Sequence, residues 1–397
     1  MDFYAQALVR HEECGGKVAL APKMPLETSD DLSIAYTPGV AEPCRAIARD
    51  AEEAWRYTSK ANTVAVVSNG TAVLGLGDIG PQAALPVMEG KAVLFKRFGG
   101  VDAWPLCIDA ATPDEVVACV KALAPSFGGV NLEDIKSPAC FEIERRLEDE
   151  LDIPVFHDDQ HGTAIVVTAA LKNALKVVGK QMDAARIVVN GPGAAGCAIV
   201  KMLLAAGARD IVVCDTRGIL HTAREGDAPH KEKIAALTNP RGLQGSLSRA
   251  LSGADVFIGV SAAGALDAAG IASMADAPVV FAMANPDPEI SYEEGVAAGA
   301  AVMGTGRSDA PNQINNLLCF PGLFKGALAV RARDVTDEMK LAAVDAIASL
   351  VDGSELAADH VIPSPLDERV AHAVALSVAR AAVECGSARE PLPETWR

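Results

Sequence analysis

Residues 190–196 read NGPGAAG and lie between an apolar stretch predicted to form a strand, Arg186–Asn190, and a predicted helix, Ala194–Ala206. The glycines fit the pattern G-x-G-x-x-G, in which the first makes a tight turn, the second admits a pyrophosphate and the third lets helix and strand approach closely. The helix N-terminus adds free N–H groups for phosphates, although a proline in the loop removes one donor. A plain glycine-rich turn is the alternative. The pattern predicts a dinucleotide site contacted by Asn190, Gly191, Pro192, Gly193, Ala194, Ala195 and Gly196.

The next predicted strand, Asp210–Asp215, ends on an acidic side chain at about the 20-residue distance typical of such sites. A carboxylate at this point binds the ribose hydroxyls of the cofactor and repels a 2′-phosphate, so Asp215 favours NAD over NADP. Arg217 and Arg224 follow closely, and their positive charges can offset that repulsion. The sequence therefore predicts NAD or NADP as the cofactor, with NAD favoured.

The elements around this stretch indicate an α/β protein. From about residue 160, continuously apolar strands alternate with helices, which is typical of a doubly wound parallel sheet covered on both faces. A mixed α/β region precedes it, and the final residues are predicted to be helical. The predicted domains are therefore a mixed α/β N-terminal catalytic domain at 1–160 and a Rossmann-type dinucleotide-binding domain with C-terminal helices at 161–397.

Several local elements of the first domain follow from short patterns. The apolar stretches Thr63–Ser68, Ala92–Phe95 and Trp104–Ile108 are predicted strands, and the glycine-punctuated stretch Thr71–Ile79 is predicted to contain a hairpin. Ser137, which precedes a proline, is the predicted N-cap of a helix.

Composition and charge exclude several classes of protein. The 397 residues include 35 basic and 52 acidic side chains, a net charge of −17 that opposes binding to nucleic acid or anionic lipid. The longest apolar run, Val256–Leu266, is too short to span a bilayer, and the chain begins without the pattern of a signal peptide. Nine cysteines occur without a Cys-x-x-Cys pair. We expect a cytoplasmic protein without a nucleic-acid or membrane partner.

Two acidic pairs follow predicted strands in the first domain, Glu133-Asp134 and Asp158-Asp159. Several carboxylates that converge repel one another unless a divalent ion joins them, and oxygen ligands suit Mg²⁺ or Mn²⁺ better than zinc. Two helix N-caps with acidic first turns are the alternative. His157 and His161 flank the second pair as further candidate ligands.

Two other side chains have chemistry that depends on their surroundings. Lys91 comes just before a predicted strand, where a lysine is usually a surface charge. Buried beside a metal ion, it would have a lowered pKa and could act as a general base. Tyr36 precedes a turn and by its position alone indicates little.

Taken together, these segments resemble the malic enzyme family in its compact bacterial form. The resemblance runs in order over roughly residues 30–330. Departures are small: a proline at 192 where the family often has alanine, and Gln82-Ala83-Ala84 before Leu85. The matching stretches are YTPGVAEPC (36–44), NGTAVLGLGDIGPQAALPVMEGK (69–91), FGGVD (98–102), NLEDI (131–135), VFHDDQHGTA (155–164), NGPGAAG (190–196), MANPDPEI (283–290) and GTGRSDAPNQINNLLCFPGLFK (304–325).

The resemblance implies oxidative decarboxylation of malate to pyruvate and CO₂ with reduction of NAD(P)⁺. It implies that the metal, Mg²⁺ or Mn²⁺, binds malate and stabilises the enolate left by decarboxylation. It also implies a homodimer. The roles carried over are metal binding by Glu133, Asp134 and Asp159, the general base Lys91 oriented by Asp158, protonation of C3 by Tyr36, a cofactor contact by Asn285, and substrate contacts by Lys91, Asn285 and Asn316.

Other functions remain open. A metal-free dehydrogenase that uses a lysine would leave the two acidic pairs unexplained. A non-catalytic nucleotide-sensing protein with this fold, or malate oxidation without decarboxylation, are further alternatives. Malolactic relatives are expected to be longer than this chain, which counts against that activity.

Overall fold

The computed structural model describes residues 3–396, apart from the side chain of Leu74; residues 1, 2 and 397, the outer ends of the predicted domains, lie outside it. The strands are β1 Thr63–Ser68, β2 Asp102–Cys107, β3 Gly129–Leu132, β4 Val155–His157, β5 Arg186–Asn190, β6 Asp210–Asp215, β7 Gly218–Ile219, β8 Val256–Gly259, β9 Val279–Ala282 and β10 Val302–Thr305. The helices are α1 Phe3–Cys14, α2 Ser29–Ala35, α3 Ala41–Arg49, α4 Ala54–Tyr57, α5 Pro81–Leu94, α6 Pro113–Leu123, α7 Ala139–Glu150, α8 Thr163–Val177, α9 Ala194–Ala205, α10 Pro229–Leu237, α11 Leu247–Leu251, α12 Ala268–Ala272, α13 Tyr292–Ala297, α14 Phe320–Ala329, α15 Asp337–Ser349 and α16 Glu368–Glu384.

The first sheet has four parallel strands in the order β2-β1-β3-β4. Its inner strand β1 (TVAVVS) is buried along its whole length, as expected where helices cover both faces of a parallel sheet. Leu132 at the end of β3 is opposite His157 at the end of β4. The acidic pairs that follow these two strands therefore leave the sheet at the same edge and on neighbouring strands.

The second sheet has six strands in the order β10-β9-β8-β5-β6-β7, all parallel except the short β7. Strand order reverses between β5 and β8, and the crevice at such a reversal is where open α/β sheets bind ligands. The glycine-rich stretch follows β5 directly, so it lies at this crevice. The predicted α/β class with a Rossmann-type second sheet is confirmed, whereas the boundary at residue 160 stays a prediction.

Three local predictions for the first domain are wrong. Ala92–Phe95 is not a strand: α5 runs to Leu94, and its buried residues Ala84, Met88, Lys91 and Ala92 recur at helical spacing. A short apolar run at the end of a buried helix looks the same as a strand in sequence. In the predicted hairpin, Thr71–Ile79, a single bridge joins Val73 and Gly77. The helix expected after Ser137 begins at Ala139, with Pro138 as its N-cap and no side-chain capping bond.

The C-terminal helices join the two sheets into one core. Phe320 and Phe324 of α14 pack on Phe95, with ring centres 4.7 and 5.4 Å away, and Phe324 also contacts Phe156 of β4 in the first sheet. On its other side α14 lies against α16 so closely that a Cβ on Gly326 would come within 2.4 Å of the Ala375 carbonyl oxygen. No helix within residues 3–396 is long and apolar enough to cross a membrane.

We expect Gly326→Ala to destabilise the protein by about 1–3 kcal/mol, because the added methyl group must push α14 away from the backbone of α16. Gly353→Ala is the matched control, since a Cβ there meets nothing within 4 Å and surface substitutions usually change stability by less than about 0.5 kcal/mol. Urea unfolding of both variants and the wild type measures the difference. Equal unfolding midpoints for all three would contradict the close packing of these helices.

Candidate active site

A cavity of about 750 Å³ opens where the carboxyl ends of the two sheets meet. Its wall combines residues from the acidic pairs, the lysine of α5, the glycine-rich stretch and two late asparagines. They include Lys91, Glu133, Asp134, Asp159, Ala194, Ala195, Asn285 and Asn316. The fold thus brings predicted catalytic, metal-binding and cofactor-binding residues together in one place.

Lys91 is buried at the centre of this group. Its Nζ lies 2.6 Å from Oδ2 of Asp158 and 2.8 Å from Oε1 of Glu133. The ring of Phe320 covers the ammonium group, with its centre 4.2 Å from Nζ. Burial alone would lower the pKa of Lys91, but the two carboxylates outweigh burial and raise its pKa above the ordinary value. The prediction of a surface charge is excluded, and the lysine is held in its protonated form by this surrounding.

The carboxylates around Lys91 outnumber the positive charges. Burial raises the pKa of Glu133 to about 7, that of Asp158 to about 7 and that of Asp159 to about 6. Asp134 is a fourth acid in the same group and is buried like Glu133 and Asp158. Four carboxylates beside one lysine leave an excess of negative charge, which a bound cation would relieve.

Three of these acids have the geometry of a metal site. Glu133, Asp134 and Asp159 each offer one carboxylate oxygen, and the three oxygens lie within 4.8 Å of one another. The backbone N–H of Asp134 donates to Oδ2 of Asp159 over 2.8 Å, which fixes the two acids relative to each other. Asp134 has a φ of +53°, a left-handed conformation that aspartate tolerates better than most residues. This all-oxygen set fits Mg²⁺ or Mn²⁺.

The two histidines beside the second pair lie outside this oxygen cluster. His161 places Nε2 3.0 Å from Oε1 of the buried Glu144. The same carboxylate accepts hydrogen bonds from the His157 backbone N–H and the Gln160 side chain, each over 2.9 Å. Glu144 therefore holds the loop that carries Asp158 from both sides. Nothing in the sequence marked Glu144, which is one of several acids in a highly charged helix.

Asp158 accepts hydrogen bonds at Oδ2 from Lys91 and from Nδ2 of Asn316, the second over 2.5 Å. The predicted substrate contact Asn316 is thus also a partner of the acid that orients the lysine.

A Cβ on Gly162 would lie 1.9 Å from Oδ1 of Asp158. Only glycine leaves room for this carboxylate, a requirement that the motif contained but that spacing alone did not reveal. Asn131, also unpredicted, donates to Oε2 of Glu133 over 2.8 Å.

The glycine-rich stretch has the shape of a phosphate cradle. Gly191 has a φ of +109°, and a Cβ on Gly196 would come within 1.9 Å of the Gly191 carbonyl oxygen. Gly193, by contrast, faces open space and precedes the first turn of α9, whose N–H groups have no side-chain cap. The Asn190 side chain donates to Ser261 over 2.8 Å, which ties the loop to the neighbouring strand β8. These features fit a dinucleotide pyrophosphate.

Glu289 connects the loops at the ends of β8 and β9. This fully buried carboxylate accepts hydrogen bonds from the Ser261 backbone and hydroxyl over 2.8 and 2.9 Å. It also accepts from the Ala284 backbone N–H over 3.0 Å. It thereby positions Asn285, which lines the cavity. No sequence pattern predicted a role for Glu289.

Asp215 ends β6 as predicted, but both oxygens of its carboxylate accept hydrogen bonds from basic side chains. Arg224 binds it with two hydrogen bonds of 2.9 and 2.6 Å, and Nζ of Lys231 lies 2.7 Å away. Burial would raise its pKa, but these partners hold the pKa of Asp215 far below the usual range. We expected NAD to be favoured because an unpaired carboxylate would repel the 2′-phosphate of NADP. The carboxylate of Asp215 is paired, so this reason for favouring NAD does not hold.

Tyr36 stands apart from the rest. Its side chain is 67% exposed, and no described tyrosine belongs to the cavity wall. Of the predicted catalytic, metal-binding and substrate residues, all except Tyr36 either line the cavity or, like Asp158, contact Lys91 in its wall. The predicted cofactor residue Asp215 also lies outside the cavity wall.

Comparison with known proteins decides the family. Residues 15–148 match the family model "Malic enzyme, N-terminal domain", and residues 160–383 match "Malic enzyme, NAD binding domain". The chain belongs to the malic enzyme family. The malic enzyme of Pyrococcus horikoshii Ot3 has a similar crystal structure, with a TM-score of 0.93 and 48% identity over 98% of this chain and 94% of that one.

The most similar relatives include enzymes of different printed activities. A bifunctional malic/malolactic enzyme of Bacillus subtilis is 57% identical over 98% of this chain and 95% of its own length. An NAD-dependent malic enzyme of Geobacillus stearothermophilus is 57% identical over 95% of this chain and 78% of its own length. NADP-dependent malic enzymes of other bacteria are 46% to 48% identical. The Bacillus relative is nearly the length of this chain, so the expectation that malolactic relatives are longer is wrong.

We expect Gly162→Ala to lower the turnover of malate by about 100-fold or more, because the methyl group displaces Asp158 and misplacement of about 1 Å at a reacting group costs that much. Gly353→Ala again serves as the control. Steady-state kinetics with malate, together with thermal melting to show that both variants fold, give the result. Wild-type turnover in a folded Gly162→Ala variant would show that Asp158 does not need its present position.

Proposed function

We propose that this enzyme converts malate and NAD(P)⁺ into pyruvate, CO₂ and NAD(P)H with the help of a divalent cation. The observation that supports this most strongly is the buried contact of Lys91 with Asp158 and Glu133 in the wall of a cavity that the glycine-rich loop also lines. A group that exchanges protons and a site for a hydride acceptor thus share one enclosed space. Both are needed to oxidise a secondary alcohol.

Each site residue has a separate proposed role. Lys91 Nζ would accept the proton of the C2 hydroxyl in its neutral form, which its present contacts with Asp158 and Glu133 disfavour and which a cation held by the neighbouring carboxylates would favour. A bound nicotinamide would take the hydride from C2. Asp158 holds the lysine in place, and Asn316 in turn holds Asp158. Glu133, Asp134 and Asp159 would hold Mg²⁺ or Mn²⁺, which when bound supplies positive charge that polarises the C2 oxygen and stabilises the charge left when CO₂ departs. Asn285 contacts substrate and cofactor from the second sheet. Tyr36 donates a proton to C3.

We propose that the enzyme uses NADP as well as NAD. Asp215 and Asp227 are accompanied by Arg217, Arg224 and Lys231, so this group of charges has a net charge of +1. Arg224 is buried between the two acids, whereas Arg217 and Lys231 remain partly exposed. A 2′-phosphate would therefore meet two accessible cations rather than an unpaired carboxylate. NAD remains a substrate because nothing here excludes a ribose hydroxyl.

Two properties of the whole molecule complete the proposal. We propose a homodimer, because the first three helices contain no buried residue. We also propose a cytoplasmic location, because all nine cysteines are free thiols.

The direct test incubates the purified enzyme with malate and either NAD or NADP, with and without Mn²⁺, and measures NAD(P)H, pyruvate, oxaloacetate and lactate. We expect pyruvate and NAD(P)H in equal amounts, and only with Mn²⁺. Lactate in place of pyruvate would indicate malolactic activity, the second candidate, which the Bacillus relative favours. Oxaloacetate as the final product, or no turnover, would contradict the proposal.

Asp159→Asn is expected to weaken the apparent affinity for Mn²⁺ by more than about 100-fold, since even outer partners of metal ligands contribute about 10- to 100-fold. Binding of NADH, followed by its fluorescence, should stay close to wild type because Asp159 lies on the metal side of the cavity. Asp149→Asn, an exposed acid of α7, is the matched control. Unchanged activity at limiting Mn²⁺ would remove Asp159 from the ligand set.

Lys231→Ala is expected to lower kcat/KM for NADP at least about tenfold more than kcat/KM for NAD, because one charge-assisted hydrogen bond to the phosphate is lost. Lys233→Ala, an exposed lysine of the same helix α10, should leave the ratio of the two cofactors unchanged. Steady-state kinetics with both cofactors give the ratios. If the ratio of kcat/KM for NADP to kcat/KM for NAD is unchanged in the Lys231 variant, this lysine does not contact the 2′-phosphate.

A further inference from the structure

One short turn carries two of the proposed site acids. We call residues Asp158–Gly162, a π-helical turn between β4 and α8, the acidic turn. Asp158 and Asp159 are consecutive in it and have different partners: Asp158 contacts Nζ of Lys91, whereas Asp159 accepts the backbone N–H of Asp134. Consecutive side chains point in different directions around a helical turn. The orientation of the acidic turn therefore decides whether both acids reach their partners at the same time.

The carboxylate of Glu144, on helix α7, contacts the acidic turn and the residue before it at three points. Its Oε1 accepts the backbone N–H of His157 over 2.9 Å and lies 3.0 Å from Nε2 of His161. Its Oε2 accepts the side-chain amide of Gln160 over 2.9 Å. The ring of His161 also packs against Phe156, with ring centres 5.6 Å apart. One buried carboxylate thus fixes the turn at its start and near its end.

The burial of Glu144 indicates a role beyond the packing of its helix. The residue is 6% exposed. Burying an ionised carboxylate costs free energy, and an apolar side chain of similar size would fill the same space without that cost. Helix α7 already buries Cys140, Ile143 and Leu147 in the core of the first sheet. The packing of α7 therefore does not require an acid at position 144, whereas the donors of the acidic turn do require an acceptor.

Resting on the proposed function, we infer that Glu144 is a positioning residue for the reaction. It holds the acidic turn so that Asp158 orients Lys91 while Asp159 faces the other metal-binding acids. Glu144 itself does not line the cavity. Its effect therefore depends on the length of its side chain and on its acceptor atoms, and not on its charge.

Two conservative variants separate position from charge. Glu144→Asp keeps the charge but shortens the side chain by one carbon–carbon bond, about 1.5 Å. Glu144→Gln keeps the length, because its oxygen can accept from His157 and His161 while the Gln160 amide turns over and accepts from the introduced NH₂ group. We expect kcat with malate to fall about 100-fold in Glu144→Asp, as for other misplacements of about 1 Å. In Glu144→Gln it should fall no more than about tenfold, since neutral hydrogen bonds replace charge-assisted ones.

Binding of Mn²⁺, measured by titration calorimetry, tests the same inference without turnover. The Kd for Mn²⁺ should rise about 10- to 100-fold in Glu144→Asp, as for other residues that orient metal ligands, and less than about tenfold in Glu144→Gln. Binding of NADH, followed by its fluorescence, should not change, because the glycine-rich loop follows β5 in the other sheet. A merely structural role would lower stability and leave the Kd for Mn²⁺ of the folded protein unchanged.

Two control variants accompany these measurements. Glu142→Asp makes the same shortening at an exposed acid of α7 and should change neither kcat nor the Kd for Mn²⁺. Val378→Ala removes buried methyl groups from α16 and should lower the melting temperature, but the Kd for Mn²⁺ should equal that of the wild type. The second control shows the effect of lost stability alone.

An exchange of partners keeps the inference testable if Glu144→Asp does not fold. Gln160→Glu alone places two carboxylates against each other and should weaken Mn²⁺ binding and slow turnover. Combined with Glu144→Gln, it restores one donor and one acceptor at this contact, and both properties should recover to within about tenfold of wild type.

Three results would overturn the inference. They are wild-type values in both single variants of Glu144, a loss in Glu144→Gln as large as that in Glu144→Asp, and no recovery when Glu144→Gln is added to Gln160→Glu. A wild type that does not convert malate, while the variants show the expected order of Mn²⁺ affinities, would contradict the proposed function alone.

Discussion

The buried contact between Lys91 and the carboxylates of Asp158 and Glu133 is the interaction on which the site depends. A lysine at this depth is stable only with its acidic partners. The acids in turn have raised pKa values, chiefly because they are buried and further because one ammonium group cannot balance four carboxylates. Removing either side of the contact would leave buried charge without compensation. The surrounding hydrogen bonds from Asn131 and Asn316 are therefore part of the same arrangement, since they hold the acids at the required distance.

The places of the acidic pairs and of the glycine-rich stretch were predictable from the sequence because they depend on residue types at fixed positions along strands. Parallel strands end at a common edge, so acidic pairs after β3 and β4 had to approach each other. The glycine-rich stretch was predictable for the same reason, since only glycine fits its turn and its close contact. The sequence could not show which acids would be buried or which partners they would contact. In the sequence, Glu144 and Glu289 look like any other acid, and only the folded structure shows that they are buried against backbone N–H groups. In the same way, only the folded structure shows that Arg224 and Lys231 pair with Asp215.

The wrong local predictions have a related cause. A four-residue apolar run such as Ala92–Phe95 has the same pattern at the end of a buried helix as in a strand, and only the preceding residues of α5 distinguish the two. Tyr36 illustrates a different limit. The resemblance implies a catalytic role for it, but its side chain is exposed in the single chain. A short sequence motif can therefore indicate a role without indicating where folding places the side chain.

The packing of Phe320 over Lys91 has a consequence for synthesis of the chain. The ring that covers the lysine, and the asparagine that steadies Asp158 across 158 residues of sequence, both belong to the last quarter of the polypeptide. Domains fold as they leave the ribosome, N-terminal part first. The nascent first half can form its sheet early, yet its lysine and acids stay exposed to water until α14 emerges. The enzyme therefore cannot act on malate during translation, and a prematurely terminated chain that ends before α14 is released without a closed site.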